Sequence, residues 1–172
     1  PTRRSSDLLK EIEQLIVSCS GLWCEAAASD YIGIPGIDME LNVQFVNRNQ
    51  VQLTCKRISF FNQHDTLVNL TPKLNELISI KHREKPDATL PFSSPYWLSH
   101  THGVGRYYVE NKLWIGKAEN DSPLNVFFDF EINGKDFRIE RPVIFKSTDP
   151  VKGEVYRPVE IVPPATVNLS ER

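Results

Sequence analysis

The sequence predicts a mainly β fold, an antiparallel Ig-like or fibronectin-like β-sandwich entered through one N-terminal α-helix. Three observations predict it. Apolar residues recur at every second position over several segments beyond residue 21. Asn133-Gly134 stands between two such segments, at a place where a two-residue hairpin turn fits. No strand–helix–strand rhythm interrupts the series, so a parallel, doubly wound sheet is not the expectation.

The helix comes first. Leu8, Ile12, Leu15 and Ile16 fall on one stripe at helical period, with Ser5, Ser6 and Asp7 available as caps and Gly21 as the stop, so residues 7–18 are expected to be helical. Such a stripe needs a surface to lie on, either the following sheet or a preceding domain. Beyond Gly21 the period becomes two. Ile37, Met39, Leu41, Val43 and Phe45 alternate with polar residues, Asn47-Arg48-Asn49-Gln50 supplies a turn, and Val51, Leu53 and Cys55 resume the alternation. The apolar parity then flips to Ile58 and Phe60, which predicts a bulge near Lys56-Arg57. Ile78 and Ile80 mark a strand over 77–83. Val126, Phe128, Phe130 and Ile132 mark another, and Phe137 and Ile139 continue beyond the Asn-Gly turn. Shorter candidates cover 22–28, 107–110 and 142–145, giving seven or eight strands in all.

Two stretches break the pattern. Residues 85–104 are rich in Pro, Ser and His and read as a long loop, a place to look for function. Residues 148–172 carry Pro150, Pro158, Pro163 and Pro164 and read as a semi-rigid connector to a following domain. The expected organisation is therefore a connecting helix over 1–20, a β-sandwich over 21–147 and an extended, Pro-rich connector over 148–172. The start at Pro1 with a polar run behind it reads as a boundary inside a longer protein.

Composition narrows the function classes. Twenty Lys and Arg against twenty-two Asp and Glu, without a long run of either sign, give none of the basic footprint of a nucleic-acid binder. Apolar runs are too short for a membrane span. Cys19, Cys24 and Cys55 have neither CxxC nor zinc spacing. At most one disulfide fits, and three free, buried thiols are the expectation.

The chemistry-bearing residues assemble no catalytic signature. His64, His82, His100 and His102 invite a metal reading, since His100-Thr101-His102 puts two imidazoles on one side of an extended chain, with Asp65 or Asp87 to complete a site. No third ligand stands at a diagnostic spacing, so solvated loop histidines are the plainer reading. There is no G-x-S-x-G elbow, no complete dinucleotide fingerprint and no phosphate loop. Asp129 and Glu131 are read as solubilising carboxylates on the outside of a hairpin. The aromatic residues are more telling. Tyr96 and Trp97 lie in the long loop, Tyr107 and Tyr108 just beyond it, and Trp114 further on. Exposed rings of this kind stack on pyranose faces, which makes Tyr96, Trp97, His100 and His102 a candidate carbohydrate surface. The opposing reading makes Trp97 a plug at one end of the sandwich, and Trp23 and Trp114 core residues, because large rings bury much area.

Gly21-Leu22-Trp23-Cys24-Glu25-Ala26, Pro95-Tyr96-Trp97-Leu98 and Glu119-Asn120-Asp121-Ser122-Pro123-Leu124 occur in that order. So do Arg141-Pro142-Val143, Thr148-Asp149-Pro150-Val151-Lys152-Gly153-Glu154 and Tyr156-Arg157-Pro158. Together these resemble the Ig-like region that follows the catalytic domain of bacterial LmbE/PIG-L-like N-acetylglucosamine deacetylases, over nearly the whole chain. The resemblance implies a zinc-dependent hydrolase as the parent protein, an extracytoplasmic location, and neighbouring domains of the same polypeptide as partners. The family's His-Pro-Asp-Asp segment is missing, and His64-Asp65 lacks its surroundings. No catalytic residue carries over, and no cofactor is expected in this segment. The expected function is a non-catalytic accessory module that positions a catalytic domain and contacts glycan. A plain interdomain spacer, or a small metal-dependent hydrolase using His100 and His102, are the alternatives.

Overall fold

The computed structural model describes residues 3–62 and 64–167. The fold is mainly β. Helix α1 (Arg3–Ser20) leads into β1 (Leu22–Ala28), β2 (Ile32–Gly33), β3 (Met39–Asn47), β4 (Leu53–Ser59), β5 (Asp65–Leu70) and β6 (Leu77–Glu84). After a long loop come β7 (Asn125–Ile132), β8 (Lys135–Asp149), β9 (Gly153–Pro158) and β10 (Glu160–Ile161).

The period-two segments bury one face each, as alternation requires. Leu22, Cys24, Ala26 and Ala28 of β1 point inward with Leu41, Val43 and Phe45 of β3. Leu53, Cys55 and Ile58 of β4 do so with Val126, Phe128 and Phe130 of β7. The register of β4 shifts between Cys55 and Arg57 against both of its neighbours. This is the bulge that the parity flip predicts, and it returns Ile58 to the inner face. The Asn133-Gly134 turn also forms as expected, with φ of +50° and +76°.

The main sheet runs β5-β4-β7-β8-β1-β3-β6, with β9 also paired to β8. Neighbours are antiparallel with one exception. Ala26–Ala28 of β1 runs parallel to Val143–Phe145 of β8. The sheet is therefore mixed, where a mostly antiparallel sandwich is expected from the hairpin signals. Alternation tells which face of a strand is buried but not the direction of a neighbour brought in from a distance. The long strand β8 makes this junction. Its first half pairs with β7 as far as Pro142, and its second half pairs with β1 and β9. Pro142 offers no N–H to a ladder, so the change of partner falls where the ladder is weakest. The sheet curls about this junction until its two flanks meet. Phe45 of β3 packs edge-on against Phe130 of β7, ring centroids 5.6 Å apart.

Other expectations are revised in detail. Helix α1 begins before residue 7, and only its end packs on the core. Val17 is buried, whereas Leu8, Ile12 and Leu15 of the predicted stripe are 50–62% exposed. The sheet thus covers only the end of this stripe, where Ile16 packs against the core. Residues 107–110 form no strand, and β5, whose exposed Leu67 and Leu70 blur the alternation, has no counterpart in the sequence reading. The 148–172 stretch contributes the end of β8, all of β9 and β10, and the buried Val159 and Ile161. Val155, Val159 and Ile161 keep one parity there, a weak alternation beneath the prolines. Ile161 bonds to Ser93, and β10 runs parallel to β2. Residues 168–172 of that stretch lie outside the described residues.

Candidate functional site

The loop over 85–124, between β6 and β7, carries every residue of the candidate carbohydrate surface. Pro95 sets an extended backbone, and Tyr96–Leu98 then wind into a single 3₁₀ turn, closed by Leu98 N–H donating to the Pro95 carbonyl at 2.8 Å. Asn120 fixes this turn from the far side of the loop. Its Oδ1 accepts from the Tyr96 N–H at 3.0 Å, and its Nδ2 donates to the Ser94 carbonyl at 2.6 Å. The Tyr96 hydroxyl donates to the Lys117 carbonyl at 3.1 Å. A second 3₁₀ turn, Lys112–Trp114, is capped by Asn111 Oδ1, which accepts from the Leu113 N–H.

These ties bring three rings together. Trp97 stands edge-on to Tyr96 at 4.8 Å between centroids, and Trp114 lies 6.2 Å from Tyr96 on its other side. All three are half-buried, and none belongs to the core. Trp114 is therefore not the core residue that its size suggests, and Trp97 is not a fully buried plug. The loop packs its rings on each other rather than delivering them to an interior that β-strand residues already fill.

His100 and His102 form a separate pair of contacts. His100 lies edge-on to Tyr108 at 5.3 Å, its Nε2 3.0 Å from Glu110 Oε1, and His102 lies 4.6 Å from Tyr107. The residues weighed as further metal ligands are occupied elsewhere. Asp65 accepts from Arg57 Nη1 at 3.1 Å, and Asp87 accepts from the N–H and hydroxyl of Thr89. The Thr89 hydroxyl and N–H hold Asp87 below the usual carboxylate range. His64 and His82 converge on the buried Glu84, at 2.9 Å from Oε1 and 3.1 Å from Oε2. That contact ties the turn between β4 and β5 to the end of β6, and Phe60 stacks on the His82 ring at 3.8 Å. Among the described residues no group of three ligands stands ready for a metal ion. Asp129 meets Arg57 Nε at 2.7 Å and Glu131 meets Lys56 Nζ at 2.7 Å, in an ionic ladder on the outer face.

The three cysteines are free thiols. Burial pushes the Cys24 thiol up to about 11 and the Cys55 thiol to about 12, the latter helped by Cys24 and Asp129 nearby. Cys19 is exposed on α1, not buried as expected.

A second concave surface was not singled out by the sequence. On the outer face of β1, β3, β8 and β9, a cleft of about 570 Å³ is lined by Trp23, Arg48, Leu77, Lys146, Glu154 and Tyr156 among others. The signal that would have found it is parity. Trp23 sits between the inward-facing Leu22 and Cys24, so an intact β1 must turn its indole outward.

No family model and no curated protein matches this sequence. Among solved structures the chain is similar to Pseudomonas fluorescens alkylpurine DNA glycosylase AlkC bound to DNA containing an abasic site analog, at 7% identity and a TM-score of 0.27. That likeness covers 74% of this chain and 32% of the glycosylase, so the chain spans about a third of the protein it matches. At that TM-score the likeness carries no argument about fold or function.

Proposed function

We propose that this domain is a non-catalytic accessory module that contacts glycan through the loop between β6 and β7. One observation carries the reading. Tyr96, Trp97 and Trp114 are gathered side by side, half-buried, on a loop pinned by Asn120 and Lys117. Rings held in this way present a rigid apolar face at little further entropic cost, next to polar groups that set orientation. A spacer has no use for such a surface, and that favours binding over a plain structural role.

The finer architectural proposal is an Ig-like sandwich with a strand that crosses between its layers. In this reading β6-β3-β1 and β5-β4-β7 are the two layers, β8 belongs to both, and the Phe45–Phe130 contact is part of the core between them. The link to an LmbE/PIG-L-like deacetylase, with its zinc in a separate catalytic domain and its place outside the cytoplasm, rests on the sequence motifs quoted above. On that reading the purified chain releases no acetate from N-acetylglucosamine substrates.

Calorimetric titration with N-acetylglucosamine oligomers tests the binding role. The chain is expected to bind, and Trp97→Ala to lose binding while keeping its melting temperature. No binding by the parent chain, or a Trp97→Ala variant that binds as well as the parent, rejects it.

A further inference from the structure

We propose that the outer-face cleft is a second binding site, for a carboxylate-bearing sugar unit of the uronic acid type. Different residues carry this inference, and it stands whether or not the loop binds glycan.

The floor of the cleft is built by register. Trp23 of β1 is paired with Val46 of β3, and Val46 with Leu77 of β6, so one apolar row crosses three strands. The next row on the same face is polar, with Glu25 opposite Gln44 and Gln44 opposite Ser79. Tyr156 of β9, opposite Lys146 of β8, supplies a ring on the other flank and is half-exposed. A ligand here meets aromatic and apolar surface below, and side-chain donors and acceptors around it.

The charges select the ligand. Lys146 already has two acidic partners, Glu154 at 3.1 Å and Glu25 at 3.7 Å. Arg48 has no acidic partner among the described residues, and its guanidinium carbon lies 5.8 Å from the centroid of the Trp23 ring. Its backbone is fixed by the Arg48 N–H, which donates to the Gly21 carbonyl at 2.9 Å. A guanidinium held beside an aromatic ring presents a planar fork of donors that matches a carboxylate. The remaining lining offers donors on the Gln44 and Asn75 amides and acceptors on those amides and Glu154. Mixed donors and acceptors suit hydroxyls, each of which does both. An extended peptide is a poorer match, because it would pair with a strand edge and the cleft lies on the face of the sheet.

The test is titration of the whole chain with tri-galacturonic acid and with its fully methyl-esterified form, at low and high salt. The acid is expected to bind, more weakly at high salt, and the ester at least tenfold more weakly than the acid. Arg48→Gln, an exposed substitution whose folding a melt verifies, is expected to lose at least tenfold in affinity for the acid. Trp97→Ala is expected to change nothing here, which separates this site from the loop. Equal binding of acid and ester, full affinity in Arg48→Gln, or no binding of the acid would each overturn the proposal.

Discussion

Phe45 and Phe130 meet with ring planes at 77° and centroids 5.6 Å apart, although their strands share no hydrogen bond and lie three steps apart in the sheet path. Both rings are fully buried. Their contact is what the curl of the sheet achieves, since it lets two flanks of one path exclude water from each other.

Truncating either ring leaves a cavity that the curled sheet has little means to fill. Phe45→Ala and Phe130→Ala are each expected to cost about 3–5 kcal/mol in chemical denaturation. A double-mutant cycle between them should show a coupling of about 0.5–1.5 kcal/mol, the range for an edge-to-face pair. Additive losses would mean that the two flanks are not joined through these rings.

The turn into β8 tests backbone strain in isolation. Gly134 holds φ of +76°, and an added Cβ would meet no atom within 4 Å. Any loss in Gly134→Val is therefore conformational. About 1 kcal/mol or more is expected, and a melting temperature equal to that of the parent would argue against the turn.

The thiols should divide by burial. Cys24 and Cys55 are held as neutral thiols far above neutral pH, while Cys19 is exposed. Since the thiolate is the reactive species, mass spectrometry after alkylation of the native chain at pH 7.5 (the assay condition) should find a single modified cysteine, Cys19. Denaturant should release the other two. Modification of Cys55 in the native state would contradict the buried inner face of β4.

Acid should destabilise the domain through particular carboxylates. Backbone N–H groups of Lys152 and Val151 hold Asp149 below its ordinary value of 3.8. The Tyr156 hydroxyl and Lys146 hold Glu154 below 4.5. For a group whose value is lower in the folded chain, the unfolded chain takes up the proton first. Its contribution is therefore full above the ordinary value and is lost as pH falls through the folded one. Melts across about pH 5 to 2 should show a falling melting temperature, and Asp149→Asn should flatten that fall. An unchanged acid limb in the variant would remove Asp149 from the cause.

Much of this domain was legible in the sequence because it depends on neighbours along the chain. Period-two alternation marked which faces of β3, β4 and β7 are buried, whereas the face of β1 went unread and Trp23, weighed as a core residue, turns outward. A flip in parity placed the bulge between Cys55 and Arg57, and Asn133-Gly134 placed the tight turn. Each is a local preference for φ, ψ or burial, and each survives into the fold. The loop rings were legible as residues worth weighing, but not as a cluster. What holds Trp114 near Tyr96 is a set of bonds across more than twenty residues of loop, from Asn120 to Tyr96 and Ser94 and from the Tyr96 hydroxyl to the Lys117 carbonyl. The parallel pairing of β1 with β8, the docking of Val159 and Ile161, and the cleft between Trp23 and Tyr156 were likewise decided only by the tertiary structure. They join residues far apart in the chain, 68 positions for Ser93 and Ile161 and more than a hundred for β1 with β8, and alternation records a side chain's face without recording the strand that will lie beside it.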